Sequence, residues 1–205
     1  MRRRDLARVA QETLLSAVEE TFNCISVDGH MSTNDTVLLL CNGASGAELT
    51  RANIAEFQTA LTTTCRELAR AIPNDGEGTT HVIEVHVRGC KDRATARQLA
   101  KSVADSQLVK CAVHGADPNW GRIVSAAGYA GVPFDPAKVD LKLNGHQLYL
   151  QGVPQKFDAE IVSKSIADNR DTFVELTFGE GDAELKYWTA DLTAEYVRLN
   201  ADYHT

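Results

Sequence analysis

Apolar positions recur along this chain with two different periods, and the two periods separate helices from strands. A spacing of three to four residues marks one face of an amphipathic helix, whereas strict alternation marks a half-buried strand. Helical spacing predicts six helices, at residues 5–22, 51–72, 92–107, 123–130, 158–168 and 192–200. Pro73 is expected to end the second of them, because proline cannot continue a helix.

Strand signals fall between these helices. They predict strands at residues 24–27, 36–41 and 80–88, and two hairpins, at 139–143 with 147–150 and at 173–178 with 183–188. The run 36–41 is continuously apolar, so we expect it to be buried on both faces. Asn144-Gly145 is a strong turn signal for the first hairpin. Helices mixed with paired strands predict an α+β fold with mixed sheets, and 205 residues predict a single domain over residues 1–205.

Composition and charge argue against nucleic acid and membranes as binding partners. The formal net charge of -7 offers no attraction to nucleic acid or to an anionic membrane surface. The longest apolar run is too short to span a bilayer, and polar residues interrupt the region after the N-terminal arginines, so neither a membrane anchor nor a signal peptide is expected. The five cysteines form no C-x-x-C pair. We therefore expect buried free thiols and a cytoplasmic protein.

Three polar segments are candidates for chemistry. The run Ser32–Thr36 leads into the most apolar strand, and it fits a ligand pocket and a solvated turn equally well. The hexapeptide Asp117–Arg122 combines residues of a helix-capping turn with an arginine, which is suited either to Asp117 or to a substrate carboxylate. Glu77 lies between two glycines, either as a carboxylate presented into a cleft or as an ordinary acidic loop residue.

Other kinds of site find little support in the sequence. The six histidines are scattered without metal-ligand spacing, so no metal site is predicted. The glycines form neither a phosphate-binding loop nor a dinucleotide fingerprint, and no serine-hydrolase elbow is present. Cys111 and His114 are neighbours, but this spacing alone gives weak support for a cysteine nucleophile.

Four segments together resemble one family over nearly the whole chain, the ornithine acetyltransferases (glutamate N-acetyltransferases). These segments are Phe22–Val37, Asp75–Gly78, Leu108–Arg122 and Asp191–Tyr203. Within them, Ser-Thr-Asn-Asp-Thr and Asp-Pro-Asn-Trp-Gly-Arg are the specific motifs. The resemblance implies an α+β fold shared with self-processing aminopeptidases, and the two motifs favour the acetyltransferase over the peptidase.

What the resemblance implies about activity is detailed. Members of the family cleave their own precursor into α and β chains, and this sequence corresponds to β. The threonine that opens β attacks the acetyl group of N2-acetyl-L-ornithine, and the acetyl-enzyme then passes the group to L-glutamate. Some members also accept acetyl-CoA as donor. The implied partners are therefore the α chain in a hetero-oligomer, N-acetylornithine, glutamate and acetyl-CoA, with no cofactor.

Three substrate-binding positions carry over from the family, namely Glu77, Asn200 and Thr205. No catalytic residue carries over, because Met1 aligns just before the helix 5–22, after the family's threonine and its strand. This departure leaves two hypotheses open. The chain is either a component of an acetyltransferase completed by other residues, or a non-catalytic remnant or amino-acid-binding subunit with the same fold.

Overall fold

The structure, a computed structural model, describes residues 3–203. Its α-helices are α1 (Arg3–Glu20), α2 (Ile54–Asn74), α3 (Arg93–Ala104), α4 (Gln107–His114), α5 (Trp120–Gly128), α6 (Ala159–Ala167) and α7 (Ala194–Asp202). Its strands are β1 (Ile25–Ser26), β2 (Val82–Cys90), β3 (Asp140–Leu143), β4 (His146–Leu150), β5 (Val153–Pro154), β6 (Asp171–Thr177) and β7 (Ala183–Ala190). None of the helices within residues 3–203 is long and apolar enough to cross a membrane.

The seven strands form one mixed sheet in the order β1-β7-β2-β6-β3-β4-β5. β2 lies inside it, antiparallel to β7 and parallel to β6. The alternation predicted for residues 80–88 is confirmed, since Ile83, Val85 and Val87 are fully buried. Helix α3 packs against β2 and β7 and contributes Leu99 and Val103 to the core. The predicted α+β fold is confirmed, and so is the hairpin of β3 with β4.

The second predicted hairpin is wrong, because β2 lies between β6 and β7. The connection between these two strands crosses the end of β2, and the backbone amide of Glu180 donates to the carbonyl of Gly89 at 2.7 Å. A Cβ added at Gly181 would lie 2.5 Å from the carbonyl oxygen of Cys90, so only glycine lets the backbones approach this closely. The glycines that resemble a hairpin turn therefore form a bridge over a third strand.

The strand predicted at residues 36–41 is also wrong. The segment has no regular secondary structure, and Leu38 and Leu40 are 74% and 89% exposed. Within residues 3–203 no strand pairs with it, so its backbone groups lack the ladder that a strand requires. Cys41 is exposed here and Cys111 on α4, which corrects the expectation that all five thiols are buried.

Several helix boundaries differ from those predicted. Helix α2 includes Pro73 in its last turn and ends one residue later at Asn74, since Pro73 has no N–H to donate to the helix. The helix predicted over 92–107 ends at Ala104, and Ser106 begins α4 by accepting from the backbone amide of Val109. Helix α5 begins at Trp120, because the Asn119 side chain caps it by accepting from the amide of Arg122 at 3.1 Å.

Candidate functional site

The site is built where β1 and β7 end and β2 begins. β1 runs parallel to β7 and β2 runs antiparallel to it, so these three strand ends lie at one edge of the sheet. The loop 75–81 leads into β2 there, and α7 follows β7. Residues distant in sequence are thereby brought together.

The loop that carries Glu77 is fixed to the start of α7. Gly78 adopts a φ of +66°, and a Cβ there would lie 2.7 Å from the backbone nitrogen of Tyr196. The Thr193 hydroxyl caps α7 by accepting from this same nitrogen, and it donates to the carbonyl of Gly78 at 3.0 Å. Only glycine fits this contact, which places Glu77 beside the last turns of α7.

Two of the three predicted substrate-binding residues meet in this structure. The Asn200 side-chain amide donates to the Glu77 carboxylate at 2.8 Å and to the carbonyl of Tyr196 at 3.0 Å. Both side chains are exposed, so the carboxylate is free to meet a cation from solvent. Thr205 lies outside the described residues. The contact brings the predicted pair together, and its role in substrate binding stays a prediction.

Asp191, whose side chain is fully buried, holds the end of the loop that carries Glu77. One carboxylate oxygen accepts from the backbone amides of Thr80 and His81 at 2.9 and 3.0 Å, and the other accepts from the Thr80 hydroxyl at 2.5 Å. Burial raises the pKa of Asp191, but the hydrogen bonds from Thr80 and His81 outweigh it and the pKa lies below its ordinary value. Asp191 is therefore a buried anion.

Two histidines also face this carboxylate. His114 Nδ1 and His81 Nδ1 lie 3.2 and 3.4 Å from the second carboxylate oxygen of Asp191. Sequence spacing did not reveal this group, because 110 positions separate His81 from Asp191 and 77 separate His114 from it. Only the fold brings the three side chains into one group.

A buried lysine connects the site to the end of β1. The Lys110 ammonium is inside the protein and donates to the carbonyl oxygen of Val27. Burial lowers the pKa of Lys110, against the attraction of carboxylates that include Asp105, Asp28 and Asp191. Asp28 in turn accepts from the Tyr196 hydroxyl at 3.1 Å. A lysine in the apolar stripe of α4 is the one sequence signal that would have pointed here.

Comparison with known proteins identifies the family. The profile of the ArgJ family matches residues 6–205. The chain belongs to the ArgJ family. Two relatives named arginine biosynthesis bifunctional protein ArgJ are 46% identical (Parasynechococcus marenigrum) and 43% identical (Rhodopirellula baltica), over 92% and 96% of this chain.

The structural comparison agrees. A crystal structure of the arginine biosynthesis bifunctional protein argJ from Bacillus halodurans is 38% identical, with a TM-score of 0.91 over 95% of this chain and 92% of that chain. The family resemblance is thereby confirmed. The chain spans about half the length of the curated relatives it matches, with 45% and 49% covered in the two named above.

The two motifs that resemble the ArgJ family have structural explanations here. The Ser32 hydroxyl accepts from the backbone amides of Asn34 and Asp35, which forms a turn on the surface. Trp120 stacks on Tyr149 with ring centroids 5.3 Å apart. Arg122 donates to the carbonyl of Leu108 at 3.2 Å and does not pair with Asp117. Both segments thus form turns in this ArgJ-family chain.

An open cleft of about 820 Å3 lies elsewhere, between α2 and the sheet. Its lining is charged with both signs and includes Arg66, Arg70, Glu84 and Lys186. Neither Glu77 nor Asn200 lines it. The volume of a cleft therefore does not identify the predicted substrate site. That site is an exposed pair of side chains at the edge of the sheet.

Proposed function

We propose that this chain is the substrate-binding part of an acetyltransferase that moves acetyl from N2-acetyl-L-ornithine to L-glutamate in arginine biosynthesis. The contact between Glu77 and Asn200 at 2.8 Å is the observation that carries the proposal. Two positions that the resemblance assigns to substrate lie 123 residues apart and meet at one edge of the sheet. Membership of the ArgJ family supports the same activity.

In this proposal Glu77 binds the side-chain ammonium of N2-acetylornithine. A carboxylate paired with an ammonium makes a charge-assisted hydrogen bond, which is stronger than a neutral one. Asn200 holds the carboxylate through one oxygen and leaves the other oxygen open to the substrate. Asp191 and Thr80 hold the backbone of the loop that carries Glu77, so the carboxylate is positioned before substrate arrives.

The covalent step belongs to the threonine that the resemblance places at the start of the family's β chain. Its hydroxyl oxygen attacks the acetyl carbonyl carbon, the amide C–N bond breaks, and the leaving ornithine amine takes the proton through the threonine's own amino group. The neutral amine of glutamate then attacks the acetyl ester and frees the hydroxyl. No residue named in this chain is assigned the role of nucleophile.

The proposed partner is the α chain of the same precursor, in a hetero-oligomer. The exposed apolar segment 36–41 supports this, because an unpaired run of strand-forming residues adds readily to the edge of a partner's sheet. The relatives are named bifunctional, and we propose acetyl-CoA as a second donor to glutamate. The five free thiols fit a reducing compartment, which we propose to be the cytoplasm.

A transfer assay tests the function. We expect the chain joined by the remaining half of the protein to form N-acetylglutamate from N2-acetylornithine and glutamate. Glu77→Gln is expected to raise KM for N2-acetylornithine by roughly 10- to 100-fold, the worth of a hydrogen bond to a charged group. Glu67→Gln, the same change at an exposed site on α2, serves as the control.

Three outcomes would each overturn a part of the proposal. A complete complex that makes no N-acetylglutamate removes the acetyltransferase activity and favours an amino-acid-binding subunit. Unchanged kinetic constants in Glu77→Gln remove Glu77 from the substrate site while leaving the activity intact. Turnover by the isolated chain would show that the nucleophile lies within these 205 residues.

A further inference from the structure

The second carboxylate oxygen of Asp191 is the centre of a tight group of donor atoms. Thr80 Oγ1 lies 2.5 Å from it, His114 Nδ1 3.2 Å and His81 Nδ1 3.4 Å. Thr80 Oγ1 also lies 2.9 Å from His81 Nδ1 and 3.1 Å from His114 Nδ1. We call these four residues the Asp191 cluster. The proposed transfer of acetyl uses none of its imidazoles.

These spacings match the ligand shell of a small metal ion. Zinc binds imidazole nitrogen and carboxylate oxygen at about 2.0–2.2 Å, so neighbouring ligands of a tetrahedral ion lie roughly 3.3–3.5 Å apart. The two distances from His81 and His114 to Asp191 are 3.4 and 3.2 Å, and all three ligand atoms lie within 4.8 Å of one another. The side chain of His114 is 40% exposed, so its ring has room to rotate toward an ion.

We propose that His81, His114 and Asp191 form a binding site for a divalent first-row transition ion, with Zn2+ the best match. Two imidazoles and one carboxylate suit a borderline ion of this kind, whereas Ca2+ and Mg2+ prefer all-oxygen shells. Three protein ligands leave a fourth position for water. The Thr80 hydroxyl lies 2.5–3.1 Å from all three ligand atoms, so it must rotate away from them when the ion binds.

The surroundings of the cluster meet the other requirements of a metal site. The first carboxylate oxygen of Asp191 is held by two backbone amides, which fixes the orientation of the ligand. Asp191 is fully buried and His81 is 12% exposed, but His114 is 40% exposed and provides a path from solvent. Lys110 is the opposing charge nearby, and its ammonium is turned toward the carbonyl of Val27.

The bound ion would join three elements of the fold, two of which are continuous in sequence with the segments that carry the proposed substrate residues. His81 directly precedes β2, His114 ends α4, and Asp191 directly follows β7, three residues before α7. Glu77 precedes His81 in the same loop, and Asn200 lies on α7. The ion therefore acts as a brace for the loop and helix that carry the substrate pair, and it takes no part in the covalent step.

Direct metal titration tests this proposal without any assay of acetyl transfer. The protein, in the complex in which it is isolated, is stripped with a chelator and titrated with Co2+ alone. We expect one equivalent to bind with the visible absorption of a four- or five-coordinate site, and Zn2+ to displace it. The absence of a thiolate charge-transfer band will separate this site from binding at Cys111.

Matched histidine variants locate the ion. His114→Gln is expected to weaken binding by at least about 100-fold, the upper range seen when a residue supporting a metal ligand is lost. His86→Gln is the control, because His86 lies beside Glu184 at 3.2 Å on the sheet and should leave binding unchanged. Far-UV circular dichroism will show that each variant is folded, and the exposed position of His114 makes its substitution the decisive one.

Two results would overturn the proposed metal site. A wild-type protein that binds no equivalent of Co2+ or Zn2+ would overturn the metal site. Binding that survives unchanged in His114→Gln and in His81→Gln would also overturn it. Either result leaves the acetyltransferase proposal standing, because that proposal rests on Glu77 and Asn200.

Discussion

Two segments that were both predicted to be strands differ in the structure, because one is buried in the sheet and the other is exposed to solvent. The alternation in residues 82–87 of β2 predicts a half-buried strand, and the apolar run at residues 37–41 predicts a strand buried on both faces. In β2, Ile83, Val85 and Val87 are fully buried, and α3 packs against the strand. In the other run, Leu40 is 89% exposed and the backbone forms no ladder.

The difference between the two runs is the presence of neighbours. β2 is hydrogen-bonded to β6 and β7, both of which lie in this chain. The segment 36–41 has no such neighbour among the described residues. A hydrophobic pattern predicts that a segment is buried, but it does not show which polypeptide chain packs against the segment. The curated relatives are about twice as long, and we propose that the remaining half supplies it.

A matched pair of substitutions gives the largest expected contrast. Leu141→Ala removes a fully buried side chain from β3 and is expected to lower the free energy of unfolding by about 2–5 kcal/mol. Leu40→Ala in the isolated chain is expected to change it by less than about 0.5 kcal/mol. Urea unfolding measures both. Equal losses would show that the segment 36–41 is already packed in this chain.

Thiol labelling should separate the same two regions by rate. Cys41 is exposed, whereas Cys90 is buried and burial raises its pKa to about 11. At pH 8 we expect Cys90 to react at least about 100-fold more slowly, since the thiolate is the reactive form. Labelling followed by mass spectrometry checks this, with Cys41→Ser as control. Protection of Cys41 on adding the remaining half of the protein would sharpen the proposal that this half covers it.

Asp191→Asn tests the edge of the sheet where β7 ends and β2 begins, which, unlike the segment 36–41, is held by many hydrogen bonds. The buried carboxylate accepts from three donors, and we expect its loss to cost about 2–3 kcal/mol at pH 7. Its pKa is depressed in the folded state, so the contribution is present above the unfolded pKa of about 3.9 and is lost as pH falls through the folded pKa. Thermal unfolding from pH 7 to pH 3 should show wild type and variant converging. A gap that stays constant would contradict an ionised Asp191.

Tyr196→Phe should have the smallest effect. The hydroxyl donates to Asp28, two residues beyond the end of β1, at 3.1 Å. We expect a loss of about 0.5–1 kcal/mol, because the pair is partly exposed to water. Calorimetry measures the change. A larger loss would show that α7 stabilises the segment after β1 by more than this one hydrogen bond.

Local patterns predicted most elements but failed where pairing is decided at a distance. The alternation in β2 and the Asn144-Gly145 turn were sufficient for those elements, because their causes lie within a few residues. The order of β6, β2 and β7 depends on a connection crossing a third strand, which no local period records. Likewise, the resemblance named Glu77 and Asn200, whereas Asp191 with its two histidines emerged only from the fold. The single domain over residues 1–205 stays a prediction.

Intact mass spectrometry of the protein purified from its native source, combined with the transfer assay on the same sample, tests the central claim most directly. We predict that these residues are purified together with further polypeptide, either fused or as a separate chain. We also predict that the sample converts N2-acetylornithine and glutamate to ornithine and N-acetylglutamate. A species of 22.3 kDa without partner and without transfer activity would contradict it.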